Sequence, residues 1–194
     1  MKLVLLILAL LICFWQIFKA DEVATADGIL VPSSPKQLTT DRRPFQYQEF
    51  TIQPQASFEL QARVLSTEHY FADAESALSP VDLALGWGPM SSNEVLNQID
   101  VQQGGRFYRW RVDEFPIPRR DIERHSANMH IIPADQQINQ TLKAIKKGHI
   151  IRLKGYLVRV TKADGWHWQS SLTRDDTGNG ACELIWVEML DIQS

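Results

Sequence analysis

The chain has 194 residues, 44% of them hydrophobic, with 20 Lys and Arg against 23 Asp and Glu for a net charge of −3. That composition is globular rather than disordered, and its negative balance excludes general nucleic-acid binding, which rests on a positive field. Two cysteines, Cys13 and Cys182, exclude a disulfide framework.

From Leu3 to Phe18 every side chain is apolar except Gln16, with Lys2 and Lys19 at the two ends. A helix apolar all round suits a bilayer rather than water. Its 16 residues span roughly 24 Å at ~1.5 Å each, short of a hydrocarbon core of about 30 Å but within reach of snorkelling lysines. Residues 1–19 are therefore expected to be a single-pass anchor. Charge bias favours an inner-membrane protein of a Gram-negative cell with its C-terminal domain in the periplasm. The alternative is secretion after cleavage near Ala26, where Ala24-Thr25-Ala26 forms an A-x-A site.

Residues 20–57 carry Pro32, Pro35, Pro44 and Pro54 without a sustained apolar period, which predicts a flexible tether. Within it Phe45–Phe50 alternates and suits an edge strand. The compact domain is expected over 58–194. Phe58, Leu60, Ala62 and Val64 alternate with polar residues as a half-buried strand does. Ser79-Pro80 with Asp82 reads as the start of a short helix, ended by Gly86-Trp87-Gly88-Pro89. Ser91 and Glu94 have capping-box spacing for another. Gly104-Gly105 turns into a strand from Arg106 to Val112, with Tyr108, Trp110 and Val112 on one face.

The clearest helix runs from Asp135 to Lys147, with Ile138, Leu142 and Ile145 in one stripe and Gly148 beyond its end. A long strand follows from His149 to Val160. Its apolar phase changes at Gly155, which predicts a bulge or sharp coil there. Asp164-Gly165 signals a hairpin. The last strand, Cys182 to Leu190, is apolar on both faces and should be central. The fold class expected is α+β and β-rich: a small, strongly curved sheet or partly closed barrel, with an OB-like barrel as one form, one good helix, and a preceding transmembrane helix.

Three chemistries are open. Cys182 could act as a nucleophile with His130, His149 or His167 as base, and Ser170 or Ser171 is a weaker candidate. The surrounding polar turn, with Asp175, Asp176, Gly178, Asn179 and Gly180, fits a hydrogen-bonded loop better than a calcium site, because it lacks EF-hand length and its terminal Glu. His125 and His130 are five apart, which matches neither a helix nor a strand face, so no metal site is expected. Arg106, Arg109 and Arg111 interleave with aromatics, and Trp166 and Trp168 follow later; such a face could bind a polyanion or sugar polymer. No cofactor motif is present.

The blocks Leu83–Met90, Ser126–Ala134 and Ser170–Glu183 together resemble a family of membrane-anchored bacterial proteins of Gram-negative type that has no assigned activity. The resemblance would cover most of the chain from Phe58 onward. It implies an envelope location and a compact domain, and no catalytic residue or cofactor. With no complete catalytic constellation in the sequence, the expectation is a non-catalytic binding or scaffolding domain at the membrane, with an envelope protein or polymer as partner. A Cys182 hydrolase and a polyanion or sugar-polymer binder are the alternatives.

Overall fold

The computed structural model describes residues 22–72, 74–173 and 182–194. Residues 1–19, on which the anchor expectation rests, lie outside them, as does the polar turn 174–180. Among the described residues no helix is long and apolar enough to cross a membrane.

The fold is β-rich with few helices. Its strands are β1 (Lys36–Leu38), β2 (Phe45–Tyr47), β3 (Phe50–His69), β4 (Val81–Gly86), β5 (Asp100–Gly104), β6 (Phe107–Arg111), β7 (Ser126–Pro133), β8 (Ile150–Thr161), β9 (His167–Gln169) and β10 (Glu183–Ile192). The helices are α1 (Asn93–Leu96), α2 (Arg119–Arg124) and α3 (Gln136–Ala144), with a 3₁₀ turn at Gly88–Ser91.

One curved sheet runs β3–β4–β7–β10–β8, and β8 returns to pair with β3, so these five strands form a ring. The 20-residue strand β3 makes this closure possible. Thr51 to Arg63 pair with β8, and Arg63 to His69 pair with β4. Register shifts at Pro54/Ala56 and Val64/Ser66 bend it between the two partners. β7 and β10 run parallel; the other ring pairs are antiparallel.

Alternation fills the ring. Leu60, Val64, Val81, Leu83, Met129, Ile131, Leu153, Leu157, Ile185 and Val187 belong to one buried cluster. The outer faces are covered too. Strands β2 and β9 pack over Ile52, Val158, Leu184 and Trp186. The separate β5–β6 hairpin packs Tyr108 and Trp110 over Ala84 and Ile122. This double coverage buries every residue of β4, including Asp82.

Several expectations change. Ser79-Pro80 does not open a helix: Val81, Leu83 and Leu85 point into the ring, so the segment after Pro80 is strand β4. Ser91 does not cap α1, whose N-cap is Ser92 with no side-chain cap bond. Instead the Ser91 hydroxyl accepts hydrogen bonds from the Leu30 and Val31 amides at 3.1 and 3.0 Å and donates to the Gly88 carbonyl at 2.7 Å.

The irregularity expected at Gly155 falls in the partner strand, where β10 shifts register between Val187 and Met189, and β8 itself does not reverse its faces. Its odd residues through Leu157 line the ring, while Val158 and Val160 are buried by the outer layer. Gly155 is needed for close approach: a Cβ there would meet the Trp186 carbonyl oxygen at 1.9 Å. Helix α3 follows its predicted stripe, with Ile138 and Leu142 buried and the Asp135 carboxylate accepting from the Ile138 amide at 2.8 Å. β10 is central, between β7 and β8.

The expected tether is corrected as well, because residues 22–57 are held against the domain. Val31 is fully buried, and its carbonyl accepts from the Gly88 amide at 2.7 Å. The Val23 amide donates to the Lys147 carbonyl at 2.9 Å, β1 and β2 both pair with β3, and β3 itself begins at Phe50. Backbone hydrogen bonds and a few buried apolar groups offset the ordering entropy that low apolar content suggested could not be met.

Candidate functional site

The site grows out of strand alternation on the outer face of the ring. Met129 and Ile131 face inward from β7, so Asn128 and His130 face outward. Across the β4–β7 pairing Asp82 stands directly opposite His130, and Leu184 of β10 flanks His130 on the other side. Cys182 precedes β10 and comes beside Asn128. Three reactive side chains distant in sequence thus meet on adjacent strands.

The deepest member is Asp82, fully buried. Its Oδ1 lies 2.9 Å from His130 Nδ1, a close ionic contact without the alignment of a hydrogen bond. Arg106 Nη1 donates to the same oxygen at 3.1 Å and to the Ser79 carbonyl at 2.9 Å. A buried carboxylate needs cationic partners of this kind to remain charged. Arg106 reaches it because Gly105 and Arg106 both take positive φ, +59° and +69°, at the β5–β6 turn. The guanidinium lies 3.7 Å from the centre of the Tyr70 ring, and the Arg106 amide donates to the Tyr70 hydroxyl at 3.0 Å.

These contacts set proton affinities. Burial is the largest influence on His130 and lowers its pKa. Interaction with the neighbouring Asp82 carboxylate, and then with the Cys182 side chain, outweighs it and carries the imidazole up to about 9. Tyr70 is pushed up to about 12 by burial first and then by the Asp82 charge, against the opposing pull of Arg106. The Trp168 ring sits 4.6 Å from His130, tilted, and helps exclude water.

Cys182 is the outermost member. It is half-buried and lines an open cleft of about 670 Å³ between β6, α2 and β7. Beside it, Asn128 Nδ2 lies 3.9 Å from Sγ and donates to the Arg106 carbonyl at 3.2 Å. The Asn128 amide is oriented by Gln103 Nε2, which donates to its Oδ1 at 2.7 Å. Thiol at the cleft wall, imidazole behind it and carboxylate deepest is the order that nucleophilic catalysis uses. The three form a row, and among the described residues no three His, Cys, Asp or Glu side chains group to hold a metal ion.

Of the sequence candidates, His130 and Cys182 come together. His149 does not join them: its Nδ1 accepts from the Lys146 amide at the start of β8. Burial and then the Lys146 charge lower its pKa. His167 is exposed on β9, opposite Thr161. Ser170 is buried, with Oγ donating to the Ser171 carbonyl at 2.7 Å and accepting from the Leu184 amide at 3.1 Å, a structural role.

The arginine face divides. Arg109 and Arg111 point into solvent along the cleft, whereas Arg106 turns inward to Asp82. Trp168 belongs to the His130 cluster, while Trp166 packs edge-on against Phe50 at 5.9 Å. Sequence reading missed Asp82, Tyr70 and the role of Asn128. The alternation Val81, Leu83, Leu85 was the available signal, since it puts Asp82 on the face shared with His130. No protein-family model, no curated protein and no solved structure matches this chain.

Proposed function

We propose that this chain is a thiol hydrolase of the bacterial envelope, held at the membrane by residues 1–19, with Cys182 as nucleophile, His130 as its proton partner and Asp82 as the positioning carboxylate. One observation carries the reading: a cysteine on an open cleft has a buried histidine beside it, with a carboxylate 2.9 Å behind that histidine. The domain is read as an OB-type barrel. The ring order, the parallel β7–β10 pair and helix α3 between β7 and β8 support this. The site lies over β4 and β7, the second and third ring strands, whose outer face serves ligands in such barrels. That placement is an analogy of fold, and the chemistry rests on the side chains.

The raised proton affinity of His130 favours an imidazolium beside the sulfur at neutral pH. The sulfur attacks a carbonyl carbon, forming a C–S bond while the carbonyl electron pair moves to oxygen. The Asn128 amide beside Sγ is the available donor to that oxyanion. Collapse expels the leaving group, which takes its proton from His130 and leaves a thioester. Water then attacks the thioester, giving its proton to His130, and the acid product departs as the thiolate is restored.

Native protein should be alkylated at Cys182 by iodoacetamide, and p-nitrophenyl acetate should give one equivalent of nitrophenol in a burst. C182S should abolish the burst and His130→Ala should slow alkylation about tenfold or more. Alkylation seen only after denaturation would remove Cys182 from consideration. A non-catalytic binding domain is the second reading, favoured by the size of the cleft and its exposed Arg109 and Arg111. Under that reading C182S retains every ligand contact and no burst occurs in any protein. Carbonate extraction of membranes tests the anchor: release of the intact chain would count against it.

A further inference from the structure

The cleft in front of Cys182 has two walls of different chemistry. Trp110 and Phe115 meet edge to face at 6.1 Å and supply an apolar surface, with Phe115 54% exposed. Opposite in character is the outward row of β6. Arg109 is exposed and makes no ion pair among the described residues. Arg111 is 82% exposed and only grazes Asp100 at 3.8 Å. Such a pair keeps most of its charge available to a third group.

The other arginines near the site are engaged. Arg106 is committed to buried Asp82, and Arg119 holds Glu123 at 2.8 Å. A chain of net charge −3 does not gather anions generally. A negative group would therefore be read locally, at β6, within the cleft that also holds the thiol.

Resting on the thiol-hydrolase reading, we infer that the substrate of Cys182 is an anionic acyl compound. Its apolar body lies on Trp110 and Phe115, and its carboxylate or phosphate is held by Arg109 and Arg111. The bond broken is the acyl linkage attacked by Cys182; the negative group stays intact and serves for recognition. Half-buried Trp110, exposed Phe115 and the two arginines line the same cleft, and aromatic and cationic groups so placed bind amphipathic anions through packing and charge together.

The test compares iodoacetate with iodoacetamide on full-length protein in detergent, since the reagents differ mainly in charge. Simple thiols react faster with the neutral reagent. At Cys182 the iodoacetate-to-iodoacetamide rate ratio should be inverted. It should fall about tenfold in the Arg109→Gln/Arg111→Gln double variant and likewise at high salt. An unchanged ratio overturns the inference while leaving the nucleophile intact.

Alkylation by neither reagent refutes the hydrolase reading instead. The anion site then stands or falls by saturable quenching of tryptophan fluorescence with benzoate and with phenyl phosphate. Quenching lost in the double variant supports the site, and the stronger quencher tells carboxylate from phosphate. Equal quenching in both proteins, or none in either, overturns it.

Discussion

Replacing Asp82 with Asn removes the charge that holds a proton on His130 while keeping the side-chain shape. In the native chain burial lowers the affinity of that imidazole, and interaction with Asp82 and Cys182 raises it to about 9. Without the carboxylate, burial is opposed by the thiol alone, and His130 should fall back toward about 6.5, the unperturbed value. A full return from about 9 would cost about 3 kcal/mol of preference for the charged form. At pH 7.5 the imidazolium fraction should fall from nearly complete to about one tenth. Cys182 then loses its cationic neighbour, and its iodoacetamide rate should drop about tenfold at that pH. Proton NMR of the His130 ring and alkylation rates from pH 6 to 10 measure both effects. A wild-type His130 titrating near 6.5, or identical alkylation profiles in wild type and D82N, would refute the reasoning.

The same group couples folding to pH. Because its folded pKa exceeds the unfolded value, its stabilisation is fully present below about pH 6.5 and is lost as pH rises through about 9. The unfolding free energy from urea titrations should fall by up to about 3 kcal/mol from about pH 6 to 9.5, and His130→Gln should flatten that dependence. Ser91→Ala leaves the Leu30 and Val31 amides of the N-terminal segment without their acceptor. It should cost about 2 kcal/mol and speed amide exchange at Val31; unaltered exchange there would mean that Ser91 does not hold this segment. Gly155→Ala drives a methyl into the Trp186 carbonyl and should cost about 3 kcal/mol, read as a lowered Tm. A neutral outcome would mean that β8 and β10 approach less closely than described.

How much of this was legible beforehand depends on the range of the signal. Alternation identified the core face of β3 and the burial of β10 on both sides, and the apolar stripe identified α3, although the helix ends at Ala144 and Gly148 does not cap it. The outward pairing of Asn128 with His130 also follows from spacing alone. Where local cues compete, tertiary packing prevailed. Pro80 and Asp82 imitate a helix start, yet three inward apolar residues make β4 a strand. The proline-containing segment before Phe58 imitates a linker, yet Ser91 and the edge of β3 secure it.

The amino-acid order by itself determined most of the segments that extend and the one that coils into a long helix, and it places an apolar run before them, because those preferences are set by neighbours a few residues away. Only the tertiary structure decided that β8 closes on β3 and that Asp82, His130 and Cys182 share one face. Strand register joins residues far apart in the chain, and no short stretch of sequence carries the identity of its distant partner.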